Sequence, residues 1–230
     1  VGAQEQKQAA ARRAALMVED GMHIGLGTGT TAEELLHALG ARCREGLTIV
    51  GVATSRATEA LAREYGIPLS RLDERHQRLD LYIDGADEVD PDLNLIKGHG
   101  GALLREKMVA TASDRFVVMI DESKRVQRLG EKSPVPVEVV QFGWLATKHR
   151  LEDLGLSAEL RPGDHGRPYV TSNHNYILDC QAPPDLDLAG GQVAEAIKLQ
   201  TGVVEHGLFL GMAATVVVGV GSGQAEVLTR

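Results

Sequence analysis

The chain has 230 residues, of which 43% are hydrophobic and only 3% aromatic, and its net charge is −8. That length supports one large domain or two modest ones around a real core. The acidic balance argues against a nucleic-acid partner, and the shortage of aromatic rings argues against stacking on bases; an anionic small molecule remains compatible, because local cations and amide dipoles hold it rather than net charge.

The polar, alanine-rich opening, VGAQEQKQAAARRAALMVEDG, predicts a helix and lacks the apolar core of a signal peptide. No apolar run is long enough to span a bilayer, so no membrane partner is expected. Cys43 and Cys180 lie far apart without metal or redox spacing, which suits two reduced thiols in a cytoplasmic, soluble protein. Next come a strand over Met22–Leu26, a helix over Thr31–Leu39, a strand over Leu47–Ala53, a helix over Ser55–Tyr65 and a short strand at Ile67–Leu69. A strand at Leu81–Asp84, a helix over Gly101–Ala112 and a strand at Phe116–Ile120 complete the first series. Strand–helix alternation predicts a mostly parallel, Rossmann-like sheet with helices on both faces and a ligand crevice at the carboxyl ends of the strands.

The pattern changes at Lys132-Ser133-Pro134-Val135-Pro136, where two prolines punctuate the chain. Strand Val137–Val140, helix Gly143–Leu154, strand Ala158–Leu160, strand Tyr169–Cys180 broken by a turn at Ser172–Asn175, helix Leu188–Leu199 and strand Val203–Phe209 follow. That order suits a small ferredoxin-like α+β unit. The apolar tail AATVVVGVG reads as a strand returning to the first sheet. The expected organisation is a Rossmann-like domain at 1–131 and 207–230 with a ferredoxin-like domain inserted at 132–206.

Polar motifs follow the strand ends. GLGTGTTAEE, residues 25–34, combines turn-permitting glycines, a helix N-terminus suited to an anion and the hydroxyls of Thr28, Thr30 and Thr31 around Gly29. It matches neither the Walker A spacing nor the dinucleotide fingerprint. The same residues also read as a helix cap, with Thr30–Glu33 or Thr31–Glu34 forming a capping box. An NADP-dependent reductase using Gly25–Gly29 and Arg56 is a further reading, against which the absent fingerprint counts.

The densest segment is LYIDGADEVDPDLNLIKGHGGALLREK, residues 81–107. Asp84 and Asp87, separated by Gly85 and Ala86, share a face if the turn is helix-like; paired carboxylates split their acidities, which suits acid or base work. Asp-Gly is equally an ordinary turn signal. Lys97 precedes Gly98-His99-Gly100-Gly101, whose consecutive amides suit an anion nest and oxyanion hole, although a lone lysine is commonly a solvated charge. Glu106, between Arg105 and Lys107, fits a surface glutamate favouring the helix dipole. Lys124 follows another strand end and alone reads as a surface charge. The histidines make no metal-ligand spacing, and no nucleophile elbow is present.

Read together, GLGTGTTAEELL, TSRATEALAREYGIPL, DLYIDGADEVDPDLNLIKGHGGALLREK, DESKRVQRLG, SPVPVEVVQFGW and the late GVVEHGLF resemble the type A ribose-5-phosphate isomerase family over nearly the whole chain. The resemblance implies interconversion of ribose 5-phosphate and ribulose 5-phosphate in the pentose phosphate pathway, without a metal or organic cofactor, by a homodimer or homotetramer. It implies a substrate site at Thr28–Thr31, Asp84–Asp87, Lys97–Gly100 and Lys124, with Glu106 as the proton-transferring base. Asp84 would then handle ring-opening protons and Asp87 orient a hydroxyl, while Lys124 or the glycine loop anchors the phosphate. Two positions depart from the pattern: Thr30 replaces the usual serine, and His99 stands where glycine is common, which questions the geometry of the amide nest. The competing reading is a non-catalytic sugar-phosphate-sensing domain.

Overall fold

A computed structural model describes residues 2–72, 78–221 and 223–230. In chain order the elements are α1 (Ala3–Ala15), β1 (His23–Leu26), α2 (Thr30–Arg44), β2 (Val50–Ala53), α3 (Arg56–Glu64), β3 (Leu81–Gly85), β4 (Glu88–Val89), β5 (Leu95–Ile96), α4 (Leu103–Thr111) and β6 (Phe116–Asp121). They continue with β7 (Val135–Val139), α5 (Trp144–Glu152), β8 (Ser157–Leu160), β9 (Tyr176–Gln181), α6 (Gln192–Lys198), β10 (Val203–His206), β11 (Leu208–Phe209), β12 (Thr215–Gly219) and β13 (Ala225–Thr229). The fold is mixed α/β, with a mostly parallel central sheet and a separate antiparallel sheet. Contacts group residues 1–86, 105–125 and 211–230 into one unit and 87–104 and 126–210 into a second. The sequence expectation assigned 87–104, 126–131 and 207–210 to the first domain; contacts group them with the second unit.

The first unit is built on a six-stranded sheet of order β13-β12-β6-β3-β1-β2, parallel throughout except for β13, which pairs antiparallel to β12 at the edge. The tail does return to this sheet as β12, and β13 adds an edge strand that the sequence reading lacked. Expected Ile67–Leu69 reduces to a single bridge between Gly51 and Leu69. Alternation along the strands sorts the side chains onto two faces. Ile24, Leu26, Leu81, Ile83, Val117 and Met119 share one core with the alanines of α1 and the leucines of α2. The other face carries Gly25, Tyr82 and Phe116, where the Tyr82 and Phe116 rings stack at 4.6 Å. There α4 approaches so closely that a Cβ on Gly25 would lie 2.4 Å from the Val109 side chain.

The second unit contains a four-stranded antiparallel sheet of order β10-β7-β9-β8 and a three-stranded sheet of order β11-β5-β4. Val135, Val137 and Val139 of β7 are fully buried in a core shared with Leu151 of α5, Leu178 of β9 and Ile197 of α6. The expected single strand Val203–Phe209 is two strands in two sheets, broken at Gly207. A Cβ there would meet the Lys97 carbonyl oxygen at 2.1 Å, so only glycine lets the chain pass. The expected strand Tyr169–Cys180 begins only at Tyr176; the turn at 172–174 is present, but the residues before it pair with no strand.

Candidate active site

In the first unit the polar motifs emerge at the carboxyl ends of parallel strands β1, β2, β3 and β6. Tyr82 and Asp84 alternate with buried Leu81 and Ile83, so the register that buries the aliphatic pair turns the polar pair towards the α4 face. Asp84 is fully buried. Its Oδ1 accepts from the Thr28 amide at 3.0 Å and the Gly85 amide at 2.7 Å, while its Oδ2 accepts a short bond from the Tyr82 hydroxyl. Three donors hold a carboxylate that would otherwise be costly to bury. Gly27 is what admits it: a Cβ at that position would lie 2.0 Å from Asp84 Oδ1.

Glu106 stands in the first turn of α4 and is only 3% exposed, so the expectation of a solvated surface glutamate is corrected. The Tyr82 phenol registers both acids. Burial first, then the charges of Asp84 and Glu106, push its pKa well above the usual value. A proton held this firmly stays on the phenol at neutral pH, which fixes Tyr82 as a donor.

The glycine loop is organised differently from the capping box expected. The N-cap of α2 is Gly29, at φ +105°, and no side chain caps the helix. The Thr28 hydroxyl instead turns inward to Thr54 Oγ1 at 2.8 Å and Thr58 Oγ1 at 3.2 Å. Thr58 in turn donates to the Gly27 carbonyl at 2.8 Å. Thr30 is exposed and accepts from Lys7 Nζ at 2.9 Å, and Thr31 is partly exposed beside Gly85. The first-turn amides of α2 point out of the helix as an anion-binding terminus does. Lys124 is partly exposed in the 3-10 turn Glu122–Lys124 that follows β6, a turn capped by Asp121.

Asp87 and the Lys97–Gly101 loop belong to the second unit. Asp84 lies inside β3, which runs to Gly85, and Asp87 lies between β3 and β4, so the turn is not the helix-like one that would put both on one face. Asp87 instead braces the loop, its Oδ2 accepting from the His99 amide at 3.0 Å and its own amide donating to the Ile96 carbonyl at 2.8 Å. Lys97 is 3% exposed, not a solvated charge; its amide donates to the Gly207 carbonyl at 2.9 Å and its ammonium lies 5.6 Å from the Phe209 ring centroid. Gly98 and Gly101 take the positive φ values, +113° and +76°. His99 does not, so its Cβ is tolerated, and its side chain is exposed.

Several contributors carry no motif. Tyr82 and Thr58 were within reach of sequence reasoning, since they sit on or beside the strand ends, as Thr54 does. Arg161 was not. It follows β8, far along the chain, yet its Nη1 donates to the Gly98 and His99 carbonyls, each at 3.0 Å.

A parallel sheet with buried acids and a hydroxyl-rich turn at its strand ends defines an α/β enzyme suited to a polar, anionic small molecule. The sequence model described as Ribose 5-phosphate isomerase A (phosphoriboisomerase A) matches residues 50–223. The Ribose-5-phosphate isomerase A of Roseiflexus castenholzii is 53% identical over 222 residues, covering 96% of this chain and 94% of its own. That of Synechococcus sp. (strain JA-3-3Ab) is 52% identical over 218 residues, covering 94% of each. A solved D-ribose-5-phosphate isomerase in complex with phospho-erythronic acid is 40% identical, with a TM-score of 0.93 over 100% of both chains. The chain belongs to the ribose 5-phosphate isomerase A family.

Proposed function

We propose that this isomerase interconverts D-ribose 5-phosphate and D-ribulose 5-phosphate by proton transfer through a cis-enediolate, with Glu106 as the base. The observation that carries the reading is a buried Glu106 on the same face of the sheet as fully buried Asp84, both sensed by one phenol. Aldose–ketose isomerisation moves a proton between adjacent carbons, and one carboxylate held over both carbons serves both halves. The developing negative charge on oxygen needs fixed donors, a role given to Lys97 and the Gly98–Gly101 loop, in which Asp87 already takes the His99 amide and Gly98 O the Gly101 amide. Asp84 handles protons of the ring oxygen and hydroxyl during ring opening, and Asp87 orients a sugar hydroxyl. Thr28, Gly29, Thr30 and Thr31, with Gly85 and Ala86, line the sugar phosphate, and Lys124 or the α2 terminus holds its phosphate. Phospho-erythronic acid, the ligand of the solved relative, pairs a planar carboxylate with a phosphate, which is the charge pattern of a phosphorylated enediolate.

A Rossmann-like unit with an inserted ferredoxin-like α+β unit is supported by the parallel sheet and by the β7-α5-β8-β9-α6-β10 sequence around the order β10-β7-β9-β8. Assembly as a homodimer or homotetramer rests on the family likeness.

The test follows ketose formation from ribose 5-phosphate with EDTA present. Wild type should turn over, and Glu106→Gln should lose about 10³-fold in kcat, within the range of general base catalysis. An active Glu106→Gln would remove the base assignment alone. A wild type that binds ribose 5-phosphate without turnover would instead be a sensing domain.

A further inference from the structure

The isomerase reading leaves Arg161 without a role, yet its guanidinium is held on every side. Its side chain is 12% exposed. The backbone is clamped after β8, its amide donating to Ile177 O at 2.9 Å and its carbonyl accepting from the Tyr169 amide at 2.9 Å. The guanidinium is held in a fork on Asp179 of β9, with Nε to Oδ2 at 2.9 Å and Nη2 to Oδ1 at 2.5 Å. Tyr169 packs beside it, ring centroid 5.8 Å from Cζ. The Tyr169 hydroxyl occupies the space that a Cβ on Gly101 would need, at 2.1 Å. Bidentate pairing leaves Nη1 aimed in one direction, and there it meets the Gly98 and His99 carbonyls at 3.0 Å each.

Those two carbonyls belong to the peptide groups whose N–H donors are on His99 and Gly100. Because each peptide is planar, fixing its oxygen on Arg161 sends its N–H the opposite way. The His99 amide is taken by Asp87 and the Gly101 amide by Gly98 O, so among the described residues the Gly100 amide is left uncommitted. A cation on a carbonyl also polarises the attached N–H, making it a better donor.

We propose that Arg161 is a positioning residue for the isomerisation: by gripping the Gly98 and His99 carbonyls it orients and polarises the loop amides, Gly100 above all, as donors to the enediolate oxygen. The inference rests on the isomerase reading. Asp179 and Tyr169 support it, one by orienting the guanidinium and the other by packing under the loop.

The test compares full-length wild type, Arg161→Ala and Asp179→Asn. Arg161→Ala should lower kcat about 100-fold, the loss typical for one oxyanion donor, with KM changed less than about threefold, because these donors act on charge that develops in the transition state. Millimolar guanidinium should restore at least about tenfold of that loss, and equimolar urea should not. Asp179→Asn, which loosens the fork but keeps the cation, should fall between. In parallel, hydrogen exchange at the loop amides that are bonded in wild type, His99 to Asp87 and Gly101 to Gly98 O, should speed up in Arg161→Ala. Full activity and unchanged His99 and Gly101 amide exchange in Arg161→Ala would overturn the proposal, as would equal rescue by urea. If Arg161→Ala does not fold, Asp179→Asn decides, and wild-type kcat there overturns it. If wild type itself has no isomerase activity, the functional reading falls and the exchange of the His99 and Gly101 amides alone decides whether Arg161 orders the loop.

Discussion

Tyr82 shows how one side chain links stability to chemistry. Its ring stacks on Phe116 while its hydroxyl donates to a fully buried carboxylate. Tyr82→Phe removes the phenol's bond to Asp84 and should cost about 1.5–3 kcal/mol, read as a lower urea midpoint. The phenol's pKa is raised in the fold by burial and by two acids, so its stabilising contribution is complete below about pH 10 and lost as pH rises through the folded value. Wild type should therefore lose more stability than Tyr82→Phe between about pH 10 and pH 11. Parallel losses would show that the phenol is not the group responsible. Cys180, buried and with its thiol pushed up to about 12, stays a thiol under the same conditions until that range. Residue types were legible in the sequence here, but their weights were not. Lys97 and Glu106 each read as surface charges alone, and only burial separates them from Lys107 or Lys124, since that property depends on what packs over a side chain.

At the scale of elements, the long periodic segments were legible and the short pairings were not. The sequence periodicity located α1 to α6 and the parallel strands to within a few residues. The three-stranded sheet β11-β5-β4 escaped because two-residue strands carry no period. Glu88 of β4, fully buried, ties this sheet to the 130–133 turn, accepting from the Gly130 amide at 2.7 Å, the Lys132 amide at 2.6 Å and the Ser133 amide at 2.5 Å. Glu88→Ala strands three amides at about 1 kcal/mol or more each and should lower the unfolding free energy by at least about 3 kcal/mol. A denaturant midpoint within error of wild type would mean the loop finds other acceptors.

For the whole molecule, the second unit draws on three stretches of chain that sequence punctuation kept apart. Ile96, Val126, Leu129 and Leu208 pack in the same core as the β7 valines. Burying four such side chains contributes roughly 6–12 kcal/mol, comparable to the net stability of a whole domain. A polypeptide of residues 132–206 alone should therefore melt without a cooperative transition by circular dichroism, whereas adding 87–104 and 126–131 with 207–210 should restore one; a sharp melt of 132–206 would contradict this. No helix among the described residues is long and apolar enough to cross a membrane. Sequence by itself determined the α/β class, the return of the tail to the first sheet and the family, because periodicity and motif order are local along the chain. Only tertiary structure decided that Glu106 and Lys97 are buried, that 87–104 packs with the second unit and that Arg161 grips the Lys97–Gly101 loop. Those facts are distances between residues remote in sequence, created when β8 and β9 pair and when the register of β3 chooses which face Asp84 occupies.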